Sequence, residues 1–394
     1  MGDVERLKNE AADRFGIDSR SVRMVSAPYR ICPLGAHIDH QLGPVTAMAL
    51  DQGVLLAYAP TTDGQVRLAS LDFPGEVEFN LRDVPDKIDD DWGNFPRGAG
   101  RALQENHSLN TGMQGVVAGK LHGGGVSSSA AVGVAFLLAF EDVNGLQVSA
   151  EENIQLDQEI ENGYLGLRIG ILDQSAILLS RRDQLTLIDC KSLEHELIAP
   201  PANMPKFDVL LAFSGLRKAL VGTDYNRRVD ECAQAATTLL QAVGRPDARP
   251  VLGHITAEEY QAHKNTLNGP AARRAAHFFS EVDRVRRGVE VWKSGDLHAF
   301  GKLMTASGES SIVNYECGSP PLVDLYQTLI AAPGVHGARF SGAGFRGCCA
   351  ALVDPAASKD VADSASASYH RLHPDLAEDA DVVILGTADG ARLL

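Results

Sequence analysis

Positive charge is in short supply. Lys and Arg number 36 against 51 Asp and Glu, a net charge of −15 over 394 residues. A surface so acidic repels nucleic acid and anionic membrane, so neither is expected as a partner, and an anionic ligand needs a locally basic pocket. Cysteine spacing is lacking too. Cys32, Cys190, Cys232, Cys317, Cys348 and Cys349 are scattered, with no C-x-x-C pair. That excludes a zinc-binding pattern and a dense disulfide framework, and it points to a reducing compartment. Long apolar runs are missing. The longest, Ala130 to Phe140, is too short to span a bilayer and stops at Glu141 and Asp142. The start, MGDVERL, has no signal-peptide core, and position 6 is Arg where a myristoylation pattern needs Ser or Thr. A cytoplasmic protein is the expectation.

What is present is an ordinary globular composition, 44% apolar. The chain is too long for one core, so two domains are expected. Pro200, Pro201 and Pro205 mark the boundary, giving residues 1–200 and 201–394. Residues 2–15 have a helical apolar face of Val4, Leu7 and Ala11 or Ala12. The stretches VRMVSAPYRI, QVRLAS, EVEFNL and GMQGVVAG read as strands, and SSSAAVGVAFLLAFEDVNG as a helix ended by Asn144-Gly145. Helices are also expected over 151–162 and 170–179. The second half opens on a strand, FDVLLAFSG. It continues with helices over about 227–242, 271–310 and 320–331, then GARFSGAGFRGCCAALV as strand, turn, strand, a helix over 358–372 and a strand, DVVILG. Strands and helices do not alternate regularly, so the class is α+β.

Three stretches carry chemistry. In RICPLGAHIDH, residues 30–40, Arg30, His37, Asp39 and His40 crowd a loop with few apolar residues. A surface Arg30–Asp39 ion pair and a turn histidine are the plain alternatives. Metal ligation is set aside, because no further His or Cys completes a set. In GKLHGGGVSSSAAVG, residues 119–133, glycines clear the backbone just before a helix. Unpartnered amides at such a start suit a phosphate, although no Walker G-K-[ST] follows. A flexible Ser-capped turn is the alternative; the all-apolar helix behind it favours a ligand. GAGFRG, residues 342–347, matches G-x-G-x-x-G but runs into a strand, which excludes a dinucleotide fold. Close approach to a neighbouring loop or ligand explains its glycines better.

Together these stretches resemble, in order and spacing, the three motifs of the GHMP (galactose, homoserine, mevalonate, phosphomevalonate) kinase superfamily. SAPYRICPLGAHIDH resembles the galactokinase signature G-R-x-N-x-I-G-E-H-x-D-Y, GGGVSSSAAVG the phosphate loop, and GARFSGAGFRGCCAALV the C-terminal motif. ENGYLGLRIGILDQSA is similar to the segment bearing the catalytic Asp, and LTLIDCKSLE to the strand after it. APYRICPLGAHIDH, ENGYLGLR, FSGLR and ARFSGAGFRGCC are closest to the galacturonokinase branch.

The resemblance implies a ribosomal-S5-like N-terminal domain, a ferredoxin-like C-terminal domain and an active site between them. It implies a monomer that uses ATP with Mg²⁺ to phosphorylate the anomeric hydroxyl of a sugar acid. Carried over residue by residue, it makes Arg30 and Asp173 catalytic. Ala36, His37, Asp39, Gly170 and Tyr225 fall at the sugar. Gly123, Gly124, Gly125, Val126, Ser127, Ser128 and Ser129 form the phosphate cradle, and Trp92 lies on the adenine side. Ser128 and Glu161 hold the metal. The signature departs from galactokinase at Ala36 (Glu there), Ile38 (Thr) and His40 (Tyr), which argues against galactose. Arg168, or else Arg217, is expected to meet a sugar carboxylate, since arginine can offer two parallel hydrogen bonds; pairing of Arg168 with a neighbouring acid is the alternative. The rival functions are a galactokinase with altered contacts and a non-catalytic sugar sensor. The intact serine loop, Arg30, Asp173 and Glu161 favour an enzyme over the sensor.

Overall fold

The computed structural model describes residues 2–119, 124–216 and 223–394 (side chains of 223 and 224 excepted). Gly123 and Arg217, both expected at the site, lie outside the described residues.

The first half is strand-rich, as its period-two stretches require. In chain order it runs α1 (Asp3–Phe15), β1 (Arg23–Ile31), β2 (Val45–Thr61), β3 (Gln65–Ser70), β4 (Glu76–Asn80), α2 (Asn94–Gln104), β5 (Gly112–Gly119), α3 (Ser128–Asn144), α4 (Ala150–Glu159), α5 (Leu172–Leu179), β6 (Leu185–Ile188) and β7 (His195–Ile198). The second half continues with β8 (Asp208–Ser214), α6 (Thr223–Ala242), α7 (Ala257–His263), α8 (Gly269–Ser294), α9 (Leu297–Ser310), α10 (Pro320–Ala331), β9 (Val335–Phe340), β10 (Cys348–Val353), α11 (Ser358–Leu372), β11 (Ala380–Leu385) and β12 (Arg392–Leu393).

Two sheets organise these elements. One has the order β12-β1-β2-β5-β3-β4, with β6 and β7 extending from the long β2. The other, β11-β8-β10-β9, is antiparallel throughout. The chain on either side of Pro200–Pro205 builds one sheet each, with one exception. After β11 the chain returns: Thr387 bridges Leu50, and Val25 pairs with Leu393. This return is not legible in the sequence, because two residues of strand carry no readable period.

Helix α1 buries Leu7, Ala11 and Ala12, and stops at Gly16 in the left-handed region. Helix α3 is buried along most of its length, including Phe136, Leu137 and Phe140, and ends at left-handed Gly145. It packs against β1, β2 and α2, which fixes its N-terminus in space. Helix α4 ends at Glu159 and passes into a π turn, Ile160–Tyr164, where the sequence reading has plain helix. The 271–310 stretch is two helices, α8 and α9, divided at left-handed Gly295. Helix α7 begins with a Thr256–Glu259 capping box. No helix among the described residues is long and apolar enough to cross a membrane.

Candidate active site

Strand β1 delivers Arg30 into the molecular interior, where it is 2% exposed. It is not a surface partner of Asp39. Its Nε and Nη2 both lie 2.7 Å from Asp173 Oδ1, and Asp173 lies in the first turn of helix α5. Both contacts fall on one oxygen, so Oδ2 carries neither of them. The Arg30 Nη1 donates to the Gly125 carbonyl at 3.1 Å and reaches Ser341 Oγ at 3.4 Å. One guanidinium thus ties the carboxylate at the start of α5 to the phosphate-loop sequence and to the third glycine motif.

The phosphate-loop sequence makes the turn its glycines allow. Gly125 has φ +104° and Ser127 sits at φ +58°, immediately before α3. Ser127 does not cap the helix, and its buried Oγ has no partner among the described residues. The plain capped-turn alternative therefore fails at this serine. A helix start behind such a glycine turn, with no side-chain cap at Ser127, is an arrangement that favours an anion. GAGFRG packs behind the loop. Ser341 Oγ donates to the Gly125 carbonyl at 2.6 Å. A Cβ at Gly347 would overlap the Gly124 carbonyl, and one at Gly342 would stand 2.8 Å from Gly125 Cα. The two glycine motifs meet backbone to backbone, as the close-approach reading requires.

Glu161 lies in the π turn after α4, buried, with Oε2 unpartnered among the described residues. Burial, then Asp173, pushes its carboxyl up to about 7, against the opposing hydrogen bond from Ser129 and the charge of Arg30. The serine beside Glu161 is therefore Ser129, whereas Ser128, the expected co-ligand, is exposed at the first position of α3. Asp157, one turn earlier, adds an acid that sequence reasoning missed. It is fully buried, both oxygens lack a partner among the described residues, and burial holds it well above the usual range. Its i, i+4 spacing to Glu161 was the available signal. No group of three or more His, Cys, Asp and Glu gathers to hold a metal among the described residues. An unpartnered buried carboxylate oxygen beside a phosphate-type helix start nevertheless fits Mg²⁺, which binds through few protein oxygens and completes its shell with phosphate and water.

The signature loop lies against the second half of the chain. His37 takes φ +61° and stacks on Tyr315, ring centroids 4.3 Å apart. Burial drives its imidazole well below its ordinary range. His40 Nδ1 accepts from Gln41, so its Nε2 carries the hydrogen toward Tyr315 Oη, 3.3 Å away. Asp39 sits over Gly170, where a Cβ would strike its carboxylate; this explains the glycine. Burial first, then Asp173, pushes Asp39 up to about 6, while amides of His40 and Leu172 pull the other way. Tyr225, near the start of α6, lies edge-on to His40, and its hydroxyl feels both Asp39 and Asp173. Ala36 is 4% exposed. Trp92 packs, partly buried, at the turn before α2.

Arg168 donates through Nη1 to Asp230 at 2.7 Å, with both side chains largely exposed. The neighbouring-acid alternative therefore holds for this nitrogen. Arg168 also lines a groove of about 540 Å³ with Asp39, His40, Asn162, Gly170 and Arg249.

Matches to known proteins follow the same layout. The GHMP kinases N terminal domain matches residues 94–181, the GHMP kinases C terminal domain 287–371, and the galactokinase galactose-binding signature 12–60. A galacturonokinase of Arabidopsis thaliana is 49% identical over 100% of this chain and 98% of its own length. A galactokinase of Roseiflexus sp. (strain RS-1) is 31% identical over 94% of this chain and 93% of its own. The crystal structure of Lactococcus lactis galactokinase complexed with galactose superposes with a TM-score of 0.91 at 28% identity, covering 100% of both chains. With Arg30 joining three motifs at one place and whole-length kinship on this scale, the chain belongs to the galactokinase-like GHMP sugar kinases.

Proposed function

We propose that this sugar kinase transfers the γ-phosphoryl group of ATP to the anomeric hydroxyl of D-galacturonic acid, giving galacturonate 1-phosphate and ADP. The observation that carries the proposal is Ala36. It stands where the galactokinase pattern has Glu, in a loop whose other sugar-facing positions, His37 and Asp39, are kept. A glutamate there would repel a C6 carboxylate and could not receive a hydrogen from it. Alanine removes the charge and leaves room for the added oxygen. The kinship with the Arabidopsis galacturonokinase supports the same substrate.

The chemistry asks for a held triphosphate, an aligned hydroxyl and a place for its proton. The amides at the start of α3 and the Gly123–Gly125 backbone receive the phosphates. Arg30 stabilises charge growing on the transferred group. Oδ2 of Asp173 takes the C1 proton, while Oδ1 stays held by Arg30. Asp39, His37, Gly170 and Tyr225 fix the sugar, and Trp92 borders the adenine. Glu161 with Ser129 would hold Mg²⁺, which supplies positive charge to the phosphates when bound. Arg168 is the first choice for the sugar carboxylate, because it borders the groove with Asp39 and Gly170 and only its Nη1 is engaged among the described residues; Arg217 is the second. Domains 1–200 and 201–394 close the site between them, with 386–394 returning to the first sheet. We further infer a cytoplasmic monomer acting on two small molecules, with neither nucleic acid nor membrane as partner. All six cysteines are free and buried, which suits a reducing compartment.

The direct test is turnover on galacturonate, galactose and glucuronate with Mg·ATP. Strong preference for galacturonate is expected. Comparable kcat/KM for galactose would make the protein a galactokinase, and no turnover on any of them would make it a sensor.

A further inference from the structure

The sugar-facing loop belongs to the first half of the chain, yet helix α8 of the second half grips its backbone. The Gly35 amide donates to Glu281 Oε1 at 2.8 Å. One turn earlier on the same face, His277 Nε2 lies 2.9 Å from the Ala36 carbonyl. A carbonyl can only accept, so Nε2 carries the hydrogen, and Nδ1 is left to accept from Ser310 Oγ at 2.9 Å. A third contact follows two turns on: Gly288 lacks the Cβ that would collide with Leu34. Leu34, Gly35 and Ala36 are thus each met by α8, through Gly288, Glu281 and His277.

We propose that His277 is a positioning residue for the sugar: through the Ala36 carbonyl it sets the peptide plane between Ala36 and His37, and so the direction in which the sugar-facing side chains point. This rests on the reading that the 30–40 loop binds the sugar. His37 occupies the left-handed region, a conformation a non-glycine residue holds only where its surroundings impose it. The peptide just before it is the one His277 grips, and the stacked Tyr315 fixes the ring beyond. Glu281 is a poorer candidate for a dedicated role. It also accepts from Ser307 and pairs with Arg284, with Arg339 nearby, so it belongs to the framework of the second half. Among the described residues the His277 side chain makes only the two hydrogen bonds named, its ring lying beside Tyr315 and His37, and burial holds it down at about 4, neutral at working pH. The phosphate loop is seated separately, on Ser341, Gly342 and Gly347. Loss of His277 should therefore reach the sugar without reaching ATP.

The test is steady-state kinetics with each substrate varied in turn, alongside melting temperatures, for wild type, His277→Phe, His277→Gln and Ser310→Ala. His277→Phe keeps a ring but no N–H. It should raise the sugar KM about tenfold, the scale of one buried hydrogen bond, and leave the ATP KM within about twofold. His277→Gln can place an amide N–H near the position of Nε2, and should bring the sugar KM back to within about threefold of wild type. A parallel rise in both KM values, or no rescue by Gln, would overturn the proposal. Should His277→Phe fail to fold, Ser310→Ala carries the test. It removes the hydroxyl that holds the tautomer and should raise the sugar KM alone, whereas an unchanged sugar KM would overturn the proposal. All variants are read on the better of galacturonate and galactose for the wild type. A wild type that prefers galactose would end the galacturonate reading while leaving this comparison intact.

Discussion

At the scale of single residues, Arg30 and Asp173 are the centre of the site. Asp173→Asn keeps the shape of the carboxylate but not its basicity. It should still bind ATP and sugar, and turnover should fall by roughly 10²- to 10⁴-fold. Binding retained with wild-type turnover would show that Asp173 is not the base. Asp39 makes a pH-dependent prediction. Its carboxyl is raised to about 6, so it is ionised at pH 8 and takes up a proton as pH falls through 6. A protonated Asp39 accepts sugar hydroxyls less well. The kcat/KM for sugar should therefore fall on the acid side of pH 6, with the ATP KM less affected. The sign for stability is opposite. A carboxyl whose folded pKa exceeds its unfolded value costs stability when ionised, so Asp39→Asn should raise the melting temperature at pH 8 while impairing sugar use. A melting temperature unchanged or lowered at pH 8 would contradict this reading of Asp39.

At the scale of elements, two glycine loops meet, and their glycines do different things. Among the described residues, chain neighbours aside, a Cβ on Gly124 would find nothing nearer than Gly347 Cα at 3.8 Å. Its open side is thus available to a ligand. Gly124→Val should raise the ATP KM sharply with little loss of melting temperature. Gly347 has φ +97° and abuts the Gly124 carbonyl, so Gly347→Ala should lower the melting temperature as well. Equal thermal loss in the two variants would contradict this division. The elements also show what can be read from sequence. The α3 start was legible, because glycines before an apolar helix announce an exposed helix terminus. The β-to-β setting of GAGFRG was legible from CCAALV. The identity of its neighbour was not, since nothing local in residues 342–347 names residues 124–125. The π turn that carries Glu161 was also invisible, as IENGY has ordinary helical composition until Gly163.

At the scale of the whole molecule, both halves of the site rest on the second half of the chain. The phosphate loop sits on the third glycine motif and the sugar loop on α8. His277, Glu281, Tyr315 and Ser341 are separated from their partners by more than two hundred residues, except within their own cluster, and sequence pattern carries no register over such distances. The first-half residues were legible because motifs bring them together in sequence; Arg168 was legible as a candidate but not as the partner of Asp230. The central claim is a preference for a sugar acid, and it follows from one missing carboxylate. Its most direct measurement is kcat/KM for galacturonate and galactose, in wild type and in Ala36→Glu. The wild type should strongly prefer galacturonate, and Ala36→Glu should lose galacturonate turnover as two carboxylates are forced together. Equal wild-type values for the two sugars, or an Ala36→Glu variant that still prefers galacturonate, would contradict it.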